Sequence, residues 1–210
     1  AIKVVLMARE IMEGMSLEEK VGQLFFGRCP INGKAAEDVV NYHLGGYLLF
    51  ADFFTDNDME GVRRDIRQFQ DVAAIPLAVG VDEEGGRVVR VSRYAEFRET
   101  PFQSPRDLYQ QGGMEAIVEE TREKADLLTS LGIQVNWAPV ADITTNQEDF
   151  MYGRSLGESP EITGEFVTKT VQVNREKSLS SMLKHFPGYG NNSDTHGGFA
   201  LDRRDFQTFW

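Results

Sequence analysis

Short apolar runs alternate with longer segments of helical spacing along most of the chain. The runs are rich in β-branched and aromatic residues, and they cover 23–27, 46–50, 77–81, 134–138 and 179–183. The segments between them carry apolar residues at roughly helical spacing and cover 34–43, 56–74, 114–131 and 160–177. The runs are nearly continuous in apolar character, which is typical of parallel strands buried on both faces. This order predicts an α/β fold with a parallel sheet.

The start of the chain carries a separate helix signal. Ser16 is followed three residues later by Glu19, just before the apolar residue Val21. A serine and a glutamate at this spacing form a capping box, because each side chain can bond the other residue's backbone N–H. The pattern predicts a helix that begins after Ser16.

Two architectures fit a parallel sheet of this order, an open doubly wound sheet and a closed (β/α)8 barrel of the TIM type. A dinucleotide-binding doubly wound fold carries G-x-G-x-x-G between strand and helix, and no strand end here supplies it. Long loops follow the strands instead, at 51–57, 82–106, 139–159 and 184–201, as in barrels. About five of eight strands are present. We expect an incomplete barrel, with residues 1–210 as the N-terminal part of a single barrel domain.

Composition narrows the classes of function. The chain is 41% hydrophobic and 26% charged, with a formal net charge of -11 and no block of lysine or arginine. These features argue against a partner that is nucleic acid or an anionic membrane. No apolar run approaches the roughly 20 residues of a membrane span. The single cysteine, Cys29, excludes an internal disulfide, and we expect it to be a small buried hydrophobe.

A first candidate site follows the third predicted strand. Asp82, Glu83 and Glu84 come directly before the glycine pair 85–86, which lets the backbone turn tightly or approach a ligand. Asp82 stands where its carboxylate could accept hydrogen bonds from sugar hydroxyls. The alternative is a solvated acidic turn paired with Arg87 and Arg90, and the pattern leaves both open.

Two further loops carry isolated polar residues. Asp142 follows the fourth predicted strand, where it either contacts a ligand or holds the loop. Arg154 stands in the segment Gly153-Arg154-Ser155-Leu156-Gly157. A guanidinium on such a loop either forms forked hydrogen bonds to a ligand or makes a salt bridge to the acidic turn.

The loop after the fifth predicted strand is the densest in titratable groups. Lys184 and His185 are adjacent at the strand end, and Asp194 and His196 lie two residues apart. In extended backbone this spacing points both side chains the same way, so Asp194 can orient the imidazole of His196 for proton transfer. His185, Asp194 and His196 could also ligate a metal, but Lys184 is a poor neighbour for a cation. We expect neither a metal nor another cofactor.

At this point the chain resembles the N-terminal domain of family 3 glycoside hydrolases, in particular the bacterial β-N-acetylhexosaminidase branch. Six motifs in order carry the resemblance: MSLEEKVGQL at 15–24, GGYLLF at 45–50, VDEEGGRV at 81–88, NWAPVAD at 136–142, GRSLG at 153–157, and KHFPGYG at 184–190 with Asp194-Thr195-His196 after it. The resemblance implies a TIM-type barrel and retaining hydrolysis of terminal β-linked N-acetylglucosamine in cell-wall or chitin-type oligosaccharides. It fits a bacterial protein that is cytoplasmic or exported, and we favour the cytoplasm.

The resemblance also implies roles for individual residues. The residues it places against the sugar are Asp82, Arg154, Lys184, His185 and, by a looser match, Arg90. It makes His196, assisted by Asp194, the general acid/base. A histidine suits this role because its pKa lies close to working pH. Tyr189 is a departure, since this branch often has a histidine there.

The resemblance places the nucleophilic aspartate beyond Trp210, so these residues would supply one of the two groups that retention needs. Two other functions therefore stay open: a non-catalytic or degenerate sugar-binding module, and a phosphorylase that uses phosphate instead of water. An incomplete barrel would also expose two sheet edges. Either the rest of the barrel was lost or left out, or an association with another chain covers the open edge.

Overall fold

The computed structural model describes residues 2–190, 192–205 and 207. Its five strands form one sheet in which every neighbouring pair is parallel. The strands are β1 (Phe26–Arg28), β2 (Gly46–Leu49), β3 (Ala78–Val81), β4 (Val135–Asn136) and β5 (Ser180–Ser181). They lie side by side in chain order, β1-β2-β3-β4-β5. Sequential order is that of a (β/α) barrel, whereas doubly wound sheets reverse direction part-way, so the strands form an arc of five of the eight barrel strands.

Two helices precede the first strand, and the others connect successive strands, as the alternating pattern predicts. In chain order they are α1 (Ile2–Glu13), α2 (Leu17–Gly22), α3 (Ala35–Tyr42), α4 (Met59–Gln70), α5 (Pro105–Ser130) and α6 (Pro160–Glu176), with a short 3-10 turn at Ala51–Phe54. The predicted capping box at α2 is confirmed: Glu19 N–H donates to Ser16 Oγ, and Ser16 N–H donates to a Glu19 carboxylate oxygen.

Two regions differ from the prediction for reasons visible in the backbone. Residues 23–25 are not strand, because Gln23 N–H bonds the carbonyl of Glu19 and Leu24 N–H bonds that of Val21, which prolongs the turn of α2. Helix α5 leaves the helical conformation at Gly112 (φ -148°, ψ 16°) and Gly113 (φ 64°, ψ -154°), so the predicted helix from residue 114 is its second segment, and an additional segment precedes it from Pro105. Ser104 caps this helix through the N–H of Asp107, and Pro105 occupies a first-turn position where its missing N–H costs nothing.

The main core lies between the sheet and the helices packed on it. Tyr47 and Leu49 of β2 and Val79 and Val81 of β3 are buried in the same cluster as apolar side chains of α3, α4 and α5. Cys29 belongs to this cluster with 2% of its surface exposed, which confirms the expectation of a small buried hydrophobe. Among the described residues, no helix has both the length and the apolar character to cross a lipid bilayer.

Candidate active site

The polar residues singled out from the sequence follow the carboxyl ends of the strands. Asp82 directly follows β3, Asp142 lies six residues after β4, and Lys184 lies three residues after β5. A parallel bridge between Val140 and Lys184 continues the pairing of β4 with β5 toward the same edge. Because parallel strands end at one edge of the sheet, residues distant in sequence meet there.

Lys184 joins two carboxylates of the loop after β3. Its Nζ lies 2.6 Å from Asp82 Oδ1 and 2.5 Å from Glu84 Oε1. The Lys184 and Asp82 side chains are each 14% exposed, whereas that of Glu84 is 2% exposed. Arg90 stands on the other side of Asp82, with Nη2 3.8 Å from Oδ2.

Arg154 forms a forked ion pair with Glu84. Its Nε donates to Glu84 Oε2 at 2.9 Å and its Nη2 donates to Oε1 at 2.7 Å. Burial alone would raise the pKa of Glu84, but hydrogen bonds and charges from Arg154 and Lys184 outweigh burial and hold that pKa below its ordinary value. Glu84 is therefore a carboxylate that holds two cations in place.

The segment after β3 is thus not a solvated turn, although the pairing of Asp82 with Arg90 that this alternative included is present at 3.8 Å. Glu83 is fully buried and accepts the backbone N–H groups of Arg90, Val91 and Ser92, together with the Ser92 hydroxyl. These bonds fold the long loop back over the strand end. The salt-bridge alternative for Arg154 is confirmed, with Glu84 as the partner.

His185 is held from both sides of its ring. Asp142 Oδ2 lies 2.7 Å from His185 Nδ1 and accepts the His185 backbone N–H at 2.9 Å. Arg154 Nη2 lies 3.2 Å from His185 Nε2. A guanidinium has only donors, so Nε2 must accept and Nδ1 must carry the proton that faces Asp142.

Asp142 therefore holds the loop, one of the two alternatives left open by the sequence. It also accepts the backbone N–H of Tyr189 at 2.7 Å. Burial would raise the pKa of Asp142, but the hydrogen bonds from His185 and Tyr189 prevail and lower it.

Asp194 and His196 form the pair that their spacing predicts. Nδ1 of His196 lies 2.5 Å from Asp194 Oδ1, and the same oxygen accepts the His196 backbone N–H at 3.0 Å. These contacts, the backbone hydrogen bond first, lower the pKa of Asp194. The His196 side chain is 78% exposed, so the pair stands at the rim of the site.

Some residues of this region carry no clear signal in the sequence. The ring of Phe150 lies 5.3 Å from that of Tyr189 and 6.2 Å from that of His196, and the Arg154 guanidinium lies 5.4 Å from its centroid. Beneath the loop after β3, the buried Lys124 of α5 donates a hydrogen bond to the backbone carbonyl of Glu84 at 3.0 Å. The ring of Phe150 and the lysine on α5 lie outside every motif, and only the three-dimensional contacts identify them.

Among the described residues, no three His, Cys, Asp or Glu side chains are grouped so that they could hold a metal ion. Asp142 pairs with His185, and Asp194 pairs with His196, as two separate contacts. The site is therefore an arrangement of carboxylates, cations and imidazoles around the strand ends.

The family profile described as the glycosyl hydrolase family 3 N terminal domain matches residues 16–209. The chain belongs to this family. Within it, the chain is 34% identical over 187 residues to β-hexosaminidase LpqI of Mycobacterium tuberculosis, which covers 88% of this chain and 46% of that protein. It is 30% identical over 169 residues to β-hexosaminidase A of Pseudoalteromonas piscicida, covering 78% of this chain and 28% of the relative. The chain thus spans less than half the length of these curated relatives.

Solved structures of family 3 enzymes share the fold. The structure of M. tuberculosis LpqI superposes with a TM-score of 0.82 at 28% identity, covering 95% of this chain and 57% of the other. A family 3 β-N-acetylglucosaminidase from Paenibacillus superposes with a TM-score of 0.79 at 26% identity, and the match covers 93% of this chain and 38% of the other. The expected incomplete TIM-type barrel is confirmed.

Proposed function

We propose that this chain supplies the sugar-binding and acid/base part of a retaining glycoside hydrolase active site. The substrate would carry a terminal β-linked N-acetylglucosamine, as in cell-wall or chitin-type oligosaccharides. The second group of the retaining mechanism, a nucleophilic carboxylate about 5 Å from the acid/base across the sugar, would come from outside residues 1–210.

The observation that carries the proposal is the difference between the two histidines. Both bond a carboxylate through Nδ1, but Nε2 of His185 is already occupied by Arg154. Within the described part of the chain, Nε2 of His196 makes no hydrogen bond, and its side chain is largely exposed. A general acid must present a proton to the glycosidic oxygen and later recover one from water, so the open nitrogen of His196 fits this role.

We propose that Asp82, Arg90, Arg154, Lys184 and His185 form the sugar-binding site, and they differ in spare hydrogen-bonding capacity. Among the described residues, Asp82 Oδ2 and the Arg90 guanidinium make no closer polar contact than the 3.8 Å between Oδ2 and Nη2. Lys184 uses two of its three donors on carboxylates. Asp82, Arg90 and Lys184 therefore have groups left for sugar hydroxyls. The polar atoms of Arg154 and His185 are largely engaged, so we propose that these two residues contribute mainly by fixing Glu84, which in turn holds Lys184.

The names of the relatives support the substrate class. Two of the curated relatives are called β-hexosaminidases, and one superposable structure is a β-N-acetylglucosaminidase. The exposed Asp-x-His pair at the rim of the site is also accessible to a bound substrate.

The test compares His196→Ala with His185→Ala in the full-length protein, on two substrates. 4-Nitrophenyl N-acetyl-β-glucosaminide has a leaving group that needs little protonation, whereas di-N-acetylchitobiose has a sugar leaving group that needs a general acid. Loss of His196 should lower kcat roughly 100- to 10,000-fold on chitobiose and much less on the nitrophenyl substrate. Loss of His185 should affect both substrates alike.

Three results would contradict the proposal in different ways. Equal losses on both substrates with His196→Ala would remove the proton-transfer role. An inert full-length protein would favour a non-catalytic sugar-binding module. Turnover that requires inorganic phosphate and yields a sugar phosphate would identify a phosphorylase.

We further propose that residues 1–210 form the N-terminal part of a single barrel domain whose open edges are covered by further polypeptide. Strand β1 pairs only with β2 and β5 only with β4 among the described residues. Beside β1, Leu24 is 81% and Phe25 is 58% exposed. Hydrogen exchange tests the idea: the β1 amides should exchange rapidly in residues 1–210 alone and slowly in the full-length protein. Equal exchange in both would contradict it.

A further inference from the structure

The Asp194–His196 contact fixes two side chains relative to each other but does not fix them on the protein. Both residues belong to one short segment, and their hydrogen bonds stay within it. The largely exposed imidazole of His196 has few neighbours to hold it. Proton transfer depends on placement, because an error of about 1 Å in a catalytic group can cost about 100-fold in rate. Something outside the pair must set its position.

Tyr189 makes the connection between this pair and the buried part of the site. Its backbone N–H donates to Asp142 Oδ1 at 2.7 Å, and the Asp142 side chain is only 4% exposed. Its hydroxyl lies 2.9 Å from Oγ1 of Thr195, the residue between Asp194 and His196. Tyr189 thus bonds the buried Asp142 through its backbone and Thr195, at the rim of the site, through its side chain.

Aromatic contacts support the same placement. The Tyr189 ring lies 5.1 Å from the His185 ring in an edge-on arrangement and 5.3 Å from the ring of Phe150. Phe150 also lies 6.2 Å from the imidazole of His196, so it contacts both ends of the segment. Phe150 comes from the loop after β4, which is separate in sequence from the loop after β5.

We propose that Tyr189 is a positioning residue for the Asp194–His196 pair, through its hydroxyl bond to Thr195 and its packing on Phe150. This rests on the proposed role of His196 as general acid/base. The role of Tyr189 would be to set where the imidazole stands relative to the residues proposed to bind the sugar. The hydroxyl is the testable part, because a phenylalanine keeps the ring and loses only the bond to Thr195.

The experiment removes that bond from each side in the full-length protein, with Tyr189→Phe, Thr195→Val and the double variant. Each single change should lower kcat on di-N-acetylchitobiose roughly 3- to 10-fold, the size of effect expected for one hydrogen bond. KM should stay within about twofold, since Asp82 and Lys184 are untouched. The double variant should lose little more than either single one, because both remove the same interaction.

Tyr152→Phe is the matched control. Tyr152 lies in the loop after β4, and in the described part of the chain its hydroxyl makes no hydrogen bond, while its ring packs under Arg106. This variant should keep wild-type kcat. The loss with Tyr189→Phe should also be larger on chitobiose than on the nitrophenyl substrate, which a general loss of stability would not produce.

The outcomes separate this inference from the function on which it rests. If His196→Ala abolishes chitobiose turnover while Tyr189→Phe and Thr195→Val match wild type, the positioning role is wrong and the proposed function stands. If the two single losses multiply in the double variant, the hydroxyl bond is not their common cause. If His196→Ala retains wild-type turnover, both proposals fall.

Discussion

Arg154 and Glu84 are 70 residues apart in the chain and meet in a forked, buried ion pair. The two bonds measure 2.9 and 2.7 Å, and the side chains are 9% and 2% exposed. Lys184 adds a second cation to the same carboxylate at 2.5 Å. The loops after β3, β4 and β5 are thereby tied together through a single glutamate.

Replacing Glu84 by alanine would leave two poorly hydrated cations without their shared partner. Removing one member of a buried charge pair typically costs about 3–5 kcal/mol, and we expect a loss in the free energy of unfolding of this size. Urea denaturation measures it. The control is Glu165→Ala on α6, whose ion pair with Lys169 is exposed and should be worth less than about 1 kcal/mol. Similar losses for the two variants would contradict the buried role of Glu84.

Glu83 supports the loop after β3 through backbone hydrogen bonds. Glu83→Ala would leave the N–H groups of Arg90, Val91 and Ser92 without an acceptor in a buried position, at about 1–3 kcal/mol for each unsatisfied group. We expect these three amides to exchange hydrogen much faster than in the wild type. Mass-spectrometric exchange on a peptide covering residues 88–94 is the measurement. Exposed Glu96, replaced by alanine, serves as the control, and unchanged exchange in Glu83→Ala would argue against this role.

Much of the fold follows from the sequence because the signals are local and repeated. Buried parallel strands need continuous apolar runs, and the runs at 46–50 and 77–81 match β2 and β3 within one residue. Strands β4 and β5 are shorter than their predicted runs, at two residues each. Pro139 has no N–H to donate to the ladder of hydrogen bonds between β4 and β5. Beyond it, the pairing continues as a single bridge between Val140 and Lys184.

The site is less predictable because its contacts join distant segments. That Asp194 faces His196 follows from their spacing, and that Arg154 pairs with the acidic turn is one of the two alternatives it offers. The carboxylate that pairs with Arg154 depends on how the loop after β3 folds. Asp82 stays near the surface, while Glu83 and Glu84 turn inward. No spacing rule connects Phe150 to Tyr189, since their contact depends on the relative placement of two separate loops.

The thiol of Cys29 should be unreactive in the native protein. Burial, followed by the nearby carboxylates Asp52, Asp65 and Asp38, raises its pKa to about 12. Because the thiolate is the reactive form, its population at pH 8 is very small, and the 2% exposed side chain also blocks access. We expect no release of thionitrobenzoate from Ellman's reagent by residues 1–210 in native buffer. In urea the same polypeptide should release one equivalent, and rapid reaction without urea would contradict the burial of Cys29.

Asp142 should make stability depend on pH in the acidic range. Its pKa is lowered in the folded state from an ordinary value of 3.8, although burial opposes this, because His185 and Tyr189 donate hydrogen bonds to the charged carboxylate. A carboxyl whose pKa is lower in the folded than in the unfolded state adds to the free energy of unfolding. The whole contribution is present above the unfolded-state pKa, and it is lost as pH falls through the folded-state pKa. Asp142→Asn should therefore be less stable than wild type by about 1–3 kcal/mol at pH 7.

The same difference should shrink as pH falls below about 4, where the carboxyl of the unfolded wild-type chain takes up its proton while the folded carboxyl still keeps its charge. Urea denaturation of both proteins between pH 7 and pH 3 tests this. The matched control is Asp126→Asn on α5, whose ion pair with Lys177 is exposed and should contribute less than about 1 kcal/mol at either pH. A difference for Asp142→Asn that stays constant down to pH 3 would mean that the lost contacts do not depend on the charge of Asp142.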